Sequence, residues 1–223
     1  MIEFQHVFKS YGRGRNILAD VNFRIEPGEF IFVSGPSGAG KSTLLKLVGA
    51  LEPASRGAVT VNGHRIDRLS SRTLPYLRRT VGLILQDAHL LFDRNAFDNV
   101  LLPLAVQGLE PSMAATRARA AIEKVGLRGK EGLLPIELSG GEQQRLAIAR
   151  AIVGRPAILI ADEPTANLDH DSATHIMDVF RDFNQVGVTT LIASHDTALM
   201  ARYAQRTLHI DAGRFSDLAG VPA

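Results

Sequence analysis

The chain has 223 residues, of which 45% are hydrophobic, and its formal net charge is +2 at pH 7. This length suits one large domain or two small ones, and the hydrophobic share is ordinary for a globular protein. Because the charge balance gives no strongly basic surface, no nucleic-acid partner is expected. The chain contains no cysteine, which excludes disulfides, thiol catalysis and cysteine-bound zinc.

The first predicted elements are two strands over residues 2–8 and 19–25, in which apolar and polar residues alternate. Tyr11 and the polar link 12–15 lie between them. The aromatic ring of Tyr11 has two interpretations. It is either an ordinary aromatic residue at the edge of a sheet or, in a nucleotide-binding protein, a ring that stacks on adenine.

A glycine-rich loop follows, between a predicted strand over residues 29–34 and a predicted helix over residues 43–49. The loop fits the phosphate-binding pattern G-x-x-x-x-G-K-[ST]. Its glycines allow backbone N–H groups to turn towards an anion, and the helix start adds partial positive charge. Lys41 is expected to reach the outer phosphates, and the Ser42 hydroxyl to bind Mg2+. The predicted nucleotide-binding residues of this segment are Gly35, Pro36, Ser37, Gly38, Ala39, Gly40, Lys41, Ser42 and Thr43.

The next predicted strand, over residues 57–61, ends in Asn62-Gly63, a dipeptide typical of a hairpin turn. Residues 69–79 are predicted to be helical in part, and residues 80–85 form a buried type of strand. That strand ends at Gln86, which is either a solvated cap or a site residue. Ligands of open α/β sheets bind at the carboxyl ends of the strands, which favours the second interpretation.

From residue 87 to about 137 the pattern becomes helical, with helices predicted over 95–106 and 112–125 and no strand. A further helix is predicted over 141–153, and Ser139 with Glu142 forms a capping box at its start. A well-capped helix is one interpretation of this segment. The other rests on Gly140 and Gly141, which allow a second backbone or an anion to approach closely.

Two more buried strands, over residues 157–161 and 188–193, are each followed by polar residues. Asp162 and Glu163 follow the first strand, and His195 follows the second. Next to a nucleotide with its metal, Asp162 is expected to hold the metal shell and Glu163 to polarise the attacking water. The alternatives are a surface turn for the two carboxylates and a hydrogen-bonded turn residue for the histidine. A helix over 172–184 lies between the two strands, and a strand over 206–211 precedes a tail that is expected to fray from residue 218.

These motifs occur in order over nearly the whole chain, and together they resemble the ABC-type ATPase family. The resemblance implies an α/β fold, namely a P-loop NTPase core with a mostly parallel sheet, an N-terminal antiparallel β subdomain and an inserted α-helical subdomain. The chain is then one domain, with its core at 1–86 and 154–223 and its helical subdomain at about 87–153. The family motifs are Walker A at 35–42, the Q-loop at Gln86, the signature LSGGEQ at 138–143, Walker B at 158–163, the D-loop at 167–169 and the switch histidine at His195.

The resemblance also implies how the site works. Two copies pair head to tail, and the signature residues Ser139, Gly140 and Gly141 of one copy grip the γ-phosphate of an ATP bound to the Walker A loop of the other. Tyr11 would stack on adenine and Asp169 of the D-loop would join the nucleotide site. Mg2+ would be coordinated by Ser42, Gln86 and Asp162. The catalytic residues would be Lys41, Gln86, Glu163 and His195.

Four shorter segments, at residues 74–79, 86–94, 98–100 and 183–189, resemble a cell-division subgroup of the family. This resemblance implies an integral membrane partner that docks near residues 86–106. No uncharged apolar run approaches the roughly 20 residues that cross a bilayer. The chain is therefore expected to be soluble, without a signal peptide, and held by its partner on the cytoplasmic face of the plasma membrane.

Two other functions stay open at this stage. The chain is alternatively the ATPase subunit of a lipoprotein-release or macrolide-type export complex, which differs in a partner that this chain does not contain. A different class is a nucleotide-gated scaffold with little turnover. Glu163 and His195 are both present, which argues against a scaffold without hydrolysis.

Overall fold

The computed structural model describes residues 1–12, 16–166 and 168–219. Four strands form an antiparallel sheet in the order β2-β1-β4-β5, namely β1 (Ile2–Ser10), β2 (Asn16–Ile25), β4 (Arg56–Val61) and β5 (His64–Arg65). Asn62 and Gly63 have φ angles of 49° and 78°, as a two-residue hairpin between β4 and β5 requires. The predicted antiparallel subdomain and its hairpin are therefore confirmed.

A second sheet has six strands in the order β10-β9-β3-β8-β7-β6. All of its neighbouring pairs are parallel except that of β10 with β9. Strands buried on both faces are typical of parallel sheets, and β3, β7 and β8 are buried at every residue. The strands are β3 (Phe30–Ser34), β6 (Val81–Ile84), β7 (Ile158–Asp162), β8 (Thr189–Ala193), β9 (Arg206–Asp211) and β10 (Arg214–Ala219).

The helices are α1 (Lys41–Val48), α2 (Leu74–Arg79), α3 (Ala96–Val106), α4 (Pro111–Lys124), α5 (Gly140–Ile152), α6 (His170–Gln185) and α7 (Thr197–Tyr203). Helices α3, α4 and α5 pack on one another. Residues 87–153 are all described and contain no strand, which confirms the helical insertion. Its limits at residues 86 and 154 stay a prediction. Helix α7 was not predicted; it is short and is capped by the Asp196 side chain, which accepts the N–H of Leu199.

Two hydrophobic clusters cover the opposite faces of the parallel sheet. Along β3, Ile31 and Val33 pack with α1 and the antiparallel sheet, whereas Phe30 and Phe32 pack with α5 and α6. Alternate residues of a strand point to opposite faces, so this short apolar strand contributes to both clusters. Helix α1 is thereby held between the two sheets, and its first residue lies at the carboxyl edge of the parallel sheet.

Several predicted features lie at the limits of the described chain. Arg13, Gly14 and Arg15 of the predicted link, Asn167 of the predicted D-loop and residues 220–223 of the tail lie outside the described residues. The prediction that fraying begins at residue 218 is wrong, because Leu218 and Ala219 pair with β9 as the last residues of β10. Among the described residues, no helix is both long enough and apolar enough to cross a lipid bilayer.

Candidate nucleotide site

One cavity of about 580 Å³ collects the polar residues that follow the carboxyl ends of β3, β6, β7 and β8. This arrangement follows from topology, because the carboxyl ends of parallel strands meet at one edge of the sheet. Ile17 and Ala166 also line the cavity and were not predicted. The predicted residues among its lining are Tyr11, Gly35, Pro36, Ser37, Gly38, Gly40, Lys41, Ser42, Thr43, Gln86, Asp162, Glu163 and His195.

The loop before α1 has a backbone that only glycine adopts without strain. Gly35 has a φ angle of 143°, and a Cβ atom added there would lie 2.1 Å from the carbonyl oxygen of Ile210 in β9. Gly40 precedes α1 with a φ angle of 112° and has no side chain to cap the helix. The first N–H groups of α1 are thus presented to the cavity, where they favour an anion.

Lys41 lies over this loop. Its Nζ donates to the carbonyl oxygen of Gly35 at 2.8 Å and to that of Pro36 at 3.3 Å. The positive charge is therefore held within the loop, beside the first turn of α1. Ala39 is the one predicted loop residue absent from the cavity lining; its methyl group packs in the core, so any contribution it makes to phosphate binding comes from its backbone.

Asp162 ends β7 and is only 4% exposed. Burial raises the pKa of its carboxyl, the neighbouring Ser42 hydroxyl lowers it, and the charge of Glu163 raises it again, with the net shift upward. A buried carboxylate of this kind is costly without a cationic partner. Ser42 and Gln86 line the same cavity and add a hydroxyl and an amide oxygen, which together with the carboxylate are the oxygen ligands that Mg2+ prefers.

Glu163 and His195 form a contact across two strands. The Nδ1 atom of His195 lies 2.9 Å from Oε1 of Glu163, and their side chains are 74% and 15% exposed. Glu163 has a φ angle of 50°, a left-handed conformation that is uncommon for a residue other than glycine. Its backbone N–H donates to the carbonyl oxygen of Ala193 at 2.9 Å, which ties this turn to the end of β8.

The signature residues lie outside the cavity of their own chain. Ser139 caps α5, since its Oγ accepts the N–H of Glu142 at 3.3 Å and its N–H donates to Oε2 of Glu142 at 2.8 Å. The predicted capping box is confirmed. Gly140 lines a separate cavity of about 390 Å³, in which Gln86 is also found. Asp169 caps α6 by accepting the N–H of Ser172 at 2.9 Å, and it does not line the nucleotide cavity.

An arginine of α5 ties the signature helix to the loop after Gln86. The guanidinium of Arg150 donates to the carbonyl oxygens of Ala88 at 2.7 Å and His89 at 2.8 Å. Nothing in the sequence pattern indicated this contact, because Arg150 is separated from the loop by about 60 residues of helical insert. The loop carrying Gln86 and the signature helix are thus joined directly.

Comparison with known proteins agrees with this geometry. The family model described as "ABC transporter" matches residues 18–166. The chain therefore belongs to the ABC transporter family and is an ABC-type ATPase.

Individual relatives narrow the comparison. The chain is 50% identical over 213 residues to the cell division ATP-binding protein FtsE of Escherichia coli strain K12, covering 96% of each chain. It is 47% identical to FtsE of Haemophilus influenzae, covering 96% of this chain and 98% of the relative. It is 38% identical to FtsE of Bacillus subtilis, covering 96% of this chain and 93% of the relative.

A solved structure shares the whole fold. The dimeric, post-hydrolysis ATP-binding cassette MJ0796 bound to ADP and Pi superimposes with a TM-score of 0.92 at 33% sequence identity, covering 99% of this chain and 100% of that one. The predicted fold class is therefore confirmed in each of its parts, namely the mixed sheet, the antiparallel subdomain and the helical insertion.

Proposed function

We propose that this chain is the ATP-hydrolysing subunit of a membrane complex that acts in bacterial cell division and controls cell-wall hydrolysis. The observation that carries the proposal is the 50% identity to FtsE over 96% of the chain. The cavity supports the proposal, because it contains the groups that hydrolysis requires. These are the phosphate loop, the buried carboxylate of Asp162 and the contact between Glu163 and His195.

The predicted residues that line the cavity have proposed roles. Lys41 and the loop N–H groups bind the β- and γ-phosphates, and Tyr11 stacks on adenine. Glu163 orients the attacking water and accepts its proton as general base. His195 holds Glu163 in place through Nδ1, and its other ring nitrogen, Nε2, holds the γ-phosphate end.

Ser42, Gln86 and Asp162 would hold Mg2+. When bound, the ion would supply positive charge that offsets the charge of the phosphates. Burial raises the pKa of the Asp162 carboxyl, so a cation at this position offsets the cost of keeping the carboxylate charged.

The active unit is proposed to be a head-to-tail homodimer. Ser139, Gly140 and Gly141 lie outside the cavity of their own chain, and the start of α5 presents N–H groups that suit a phosphate. A second copy brings these residues to the γ-phosphate, and Asp169 to the dimer interface. The dimeric state of MJ0796 supports this arrangement.

An FtsX-like integral membrane protein is the proposed partner, docking near residues 86–106 on the cytoplasmic face of the inner membrane. A cavity of about 420 Å³ between core and helical insert supports this position. Leu83 lines it from β6, Leu102 and Val106 from α3, and Arg150 from α5. Val106 is 53% exposed, which suits an apolar contact with a partner.

The proposal is tested by capture of tagged Glu163→Gln protein from its native membranes in the presence of ATP, followed by mass spectrometry. An FtsX-like subunit with regulators of cell-wall hydrolases is expected. Capture of a lipoprotein-release or efflux permease instead would leave the proposed ATPase activity standing and would contradict the cell-division role. Val106→Glu should abolish capture, whereas Val186→Glu, which alters an exposed valine after α6, should not.

A further inference from the structure

Tyr11 is held by a network of charged groups outside the phosphate loop. Its hydroxyl donates to Oε2 of Glu52 at 2.5 Å, although the two residues are 41 positions apart. Tyr11 itself is 50% exposed and lines the nucleotide cavity. An aromatic side chain this exposed has little packing to fix its ring, so its polar contacts restrain it, and the Tyr11 hydroxyl contacts the Thr43 side chain as well as Glu52.

Two lysines complete the network. Lys9 Nζ lies 3.0 Å from Oε2 of Glu52, donates to the carbonyl oxygen of Pro53 at 2.9 Å, and lies 4.9 Å from the centre of the Tyr11 ring. Lys9 is only 7% exposed, so its charge depends on these partners. Lys46 Nζ, from the last turn of α1, lies 3.6 Å from Oε1 of Glu52.

The protonation states suit this arrangement. Burial opposes the charge on Glu52, but hydrogen bonds from Tyr11 and Lys9 lower the pKa of its carboxyl below the ordinary value. Burial and the bond to Glu52 raise the pKa of the Tyr11 hydroxyl, and a hydrogen bond with Thr43 lowers it, with the net shift upward. At neutral pH the carboxylate is therefore a charged acceptor and the phenol a donor, which is the stronger kind of hydrogen bond.

We infer that Glu52 is a positioning residue for the nucleotide base: it holds the Tyr11 ring at the mouth of the cavity, with Lys9 against the ring, so that purine stacking meets a preformed surface. This inference rests on the proposed stacking of adenine on Tyr11. Glu52 also follows α1, and the first turn of α1 lies in the phosphate loop. The same helix therefore positions the residues at the base end and at the phosphate end of the nucleotide. Preformed contacts raise affinity by removing the cost of ordering a side chain on binding.

The test measures binding of ATP and of inorganic triphosphate by calorimetry with magnesium present. Triphosphate occupies the phosphate loop but has no base, so only ATP senses Tyr11. Tyr11→Phe, Glu52→Ala and the double variant are each expected to weaken ATP binding by about fivefold, the cost of ordering one side chain on binding, and to leave triphosphate binding unchanged. The double variant should equal the stronger single variant, because both substitutions remove the same contact.

The controls separate the possible failures. Glu123→Ala removes an exposed acid that pairs with Arg128 at 3.1 Å and should leave both affinities unchanged. Equal weakening of ATP and triphosphate by Glu52→Ala would show a general structural effect and overturn the inference. Tyr11→Phe removes a single oxygen from an exposed side chain, so it keeps the test decisive if Glu52→Ala fails to fold.

Tyr11→Ala distinguishes this inference from the function on which it rests. If Tyr11→Ala weakens ATP binding while Tyr11→Phe and Glu52→Ala do not, stacking stands and the positioning role of Glu52 falls. If Tyr11→Ala also leaves ATP binding unchanged, the ring does not hold adenine, and both the stacking and the positioning are overturned.

Discussion

The imidazole Nδ1 of His195 lies 2.9 Å from Oε1 of Glu163, although the two residues follow different strands, β8 and β7. When Nδ1–H donates to the carboxylate, the hydrogen bond orients the carboxylate oxygens. The other ring nitrogen, Nε2, stays available for a different contact. Two of the predicted catalytic groups are thus one hydrogen-bonded unit.

The first prediction concerns Glu163→Gln. The amide keeps the size of the side chain but is not a base, so hydrolysis should fall by at least about 100-fold, while ATP binding persists. With product formation stopped, ATP should hold two copies together, and light scattering after gel filtration should give the mass of a dimer. A variant that remains monomeric with saturating ATP would contradict the two-chain site.

The second prediction concerns His195→Ala. Loss of the hydrogen bond to Glu163 should reduce hydrolysis by about 10- to 100-fold, which is less than loss of the base itself, and ATP affinity should change little. His195→Asn should recover part of the rate, because its amide N–H reaches the position of Nδ1. Recovery by His195→Gln alone would mean instead that the contact at the phosphate end dominates.

The third prediction concerns Gly35→Ala. The added Cβ would lie 2.1 Å from the carbonyl oxygen of Ile210, at a φ angle of 143° that suits only glycine. The free energy of unfolding should fall by at least about 3 kcal/mol, as measured by denaturant titration.

Gly129→Ala is the matched control for this substitution. Gly129 also has a positive φ angle, 84°, but a Cβ atom there meets nothing within 4 Å. Its cost should be about 1 kcal/mol, from backbone conformation alone. Similar losses at the two positions would mean that the close approach of β9 to the loop is not what requires glycine at residue 35.

The fourth prediction concerns pH. The hydrogen bond from Lys130 and that from the Ser139 N–H lower the pKa of Glu142 to about 2. A carboxyl whose pKa is lowered by folding stabilises the folded state above its unfolded pKa, about 4.3, and loses this contribution as the pH falls towards 2.

Thermal unfolding of the wild type and of Glu142→Gln checks the pH prediction. The wild type should be more stable by up to about 1 kcal/mol at pH 7, because the amide of glutamine can still cap the helix but has no charge to pair with Lys130. Its advantage should shrink progressively as the pH falls through about 4.3, where half of the unfolded glutamate is protonated. An advantage that is unchanged between pH 7 and pH 3 would contradict the charged role of Glu142.

Much of the fold followed from sequence because its signals are local. The apolar runs at β7 and β8, the hairpin turn at Asn62 and the cap at Ser139 each depend on a few neighbouring residues. The location of the site at the carboxyl edge of the sheet was also predictable from sequence, because parallel strands bring together the residues that follow their carboxyl ends.

The remaining features depend on contacts between distant segments. The position of β3 between β9 and β8 was not predictable from its five residues. The hydrogen bond of Tyr11 to Glu52 spans 41 positions, and neither residue has a pattern that indicates the other. The left-handed turn at Glu163 is imposed by its bond to Ala193, on a strand that comes later in the chain.

The two hydrogen bonds from Arg150 to the carbonyl oxygens of Ala88 and His89 have a mechanical consequence. A planar guanidinium that donates to two successive carbonyl oxygens holds their orientation as well as their distance, so α5 and the loop after Gln86 are coupled at this contact. Arg150 also lines the cavity between core and insert. A partner bound in that cavity would therefore contact the side chain that joins α5, the helix with the signature residues at its start, to the loop after Gln86.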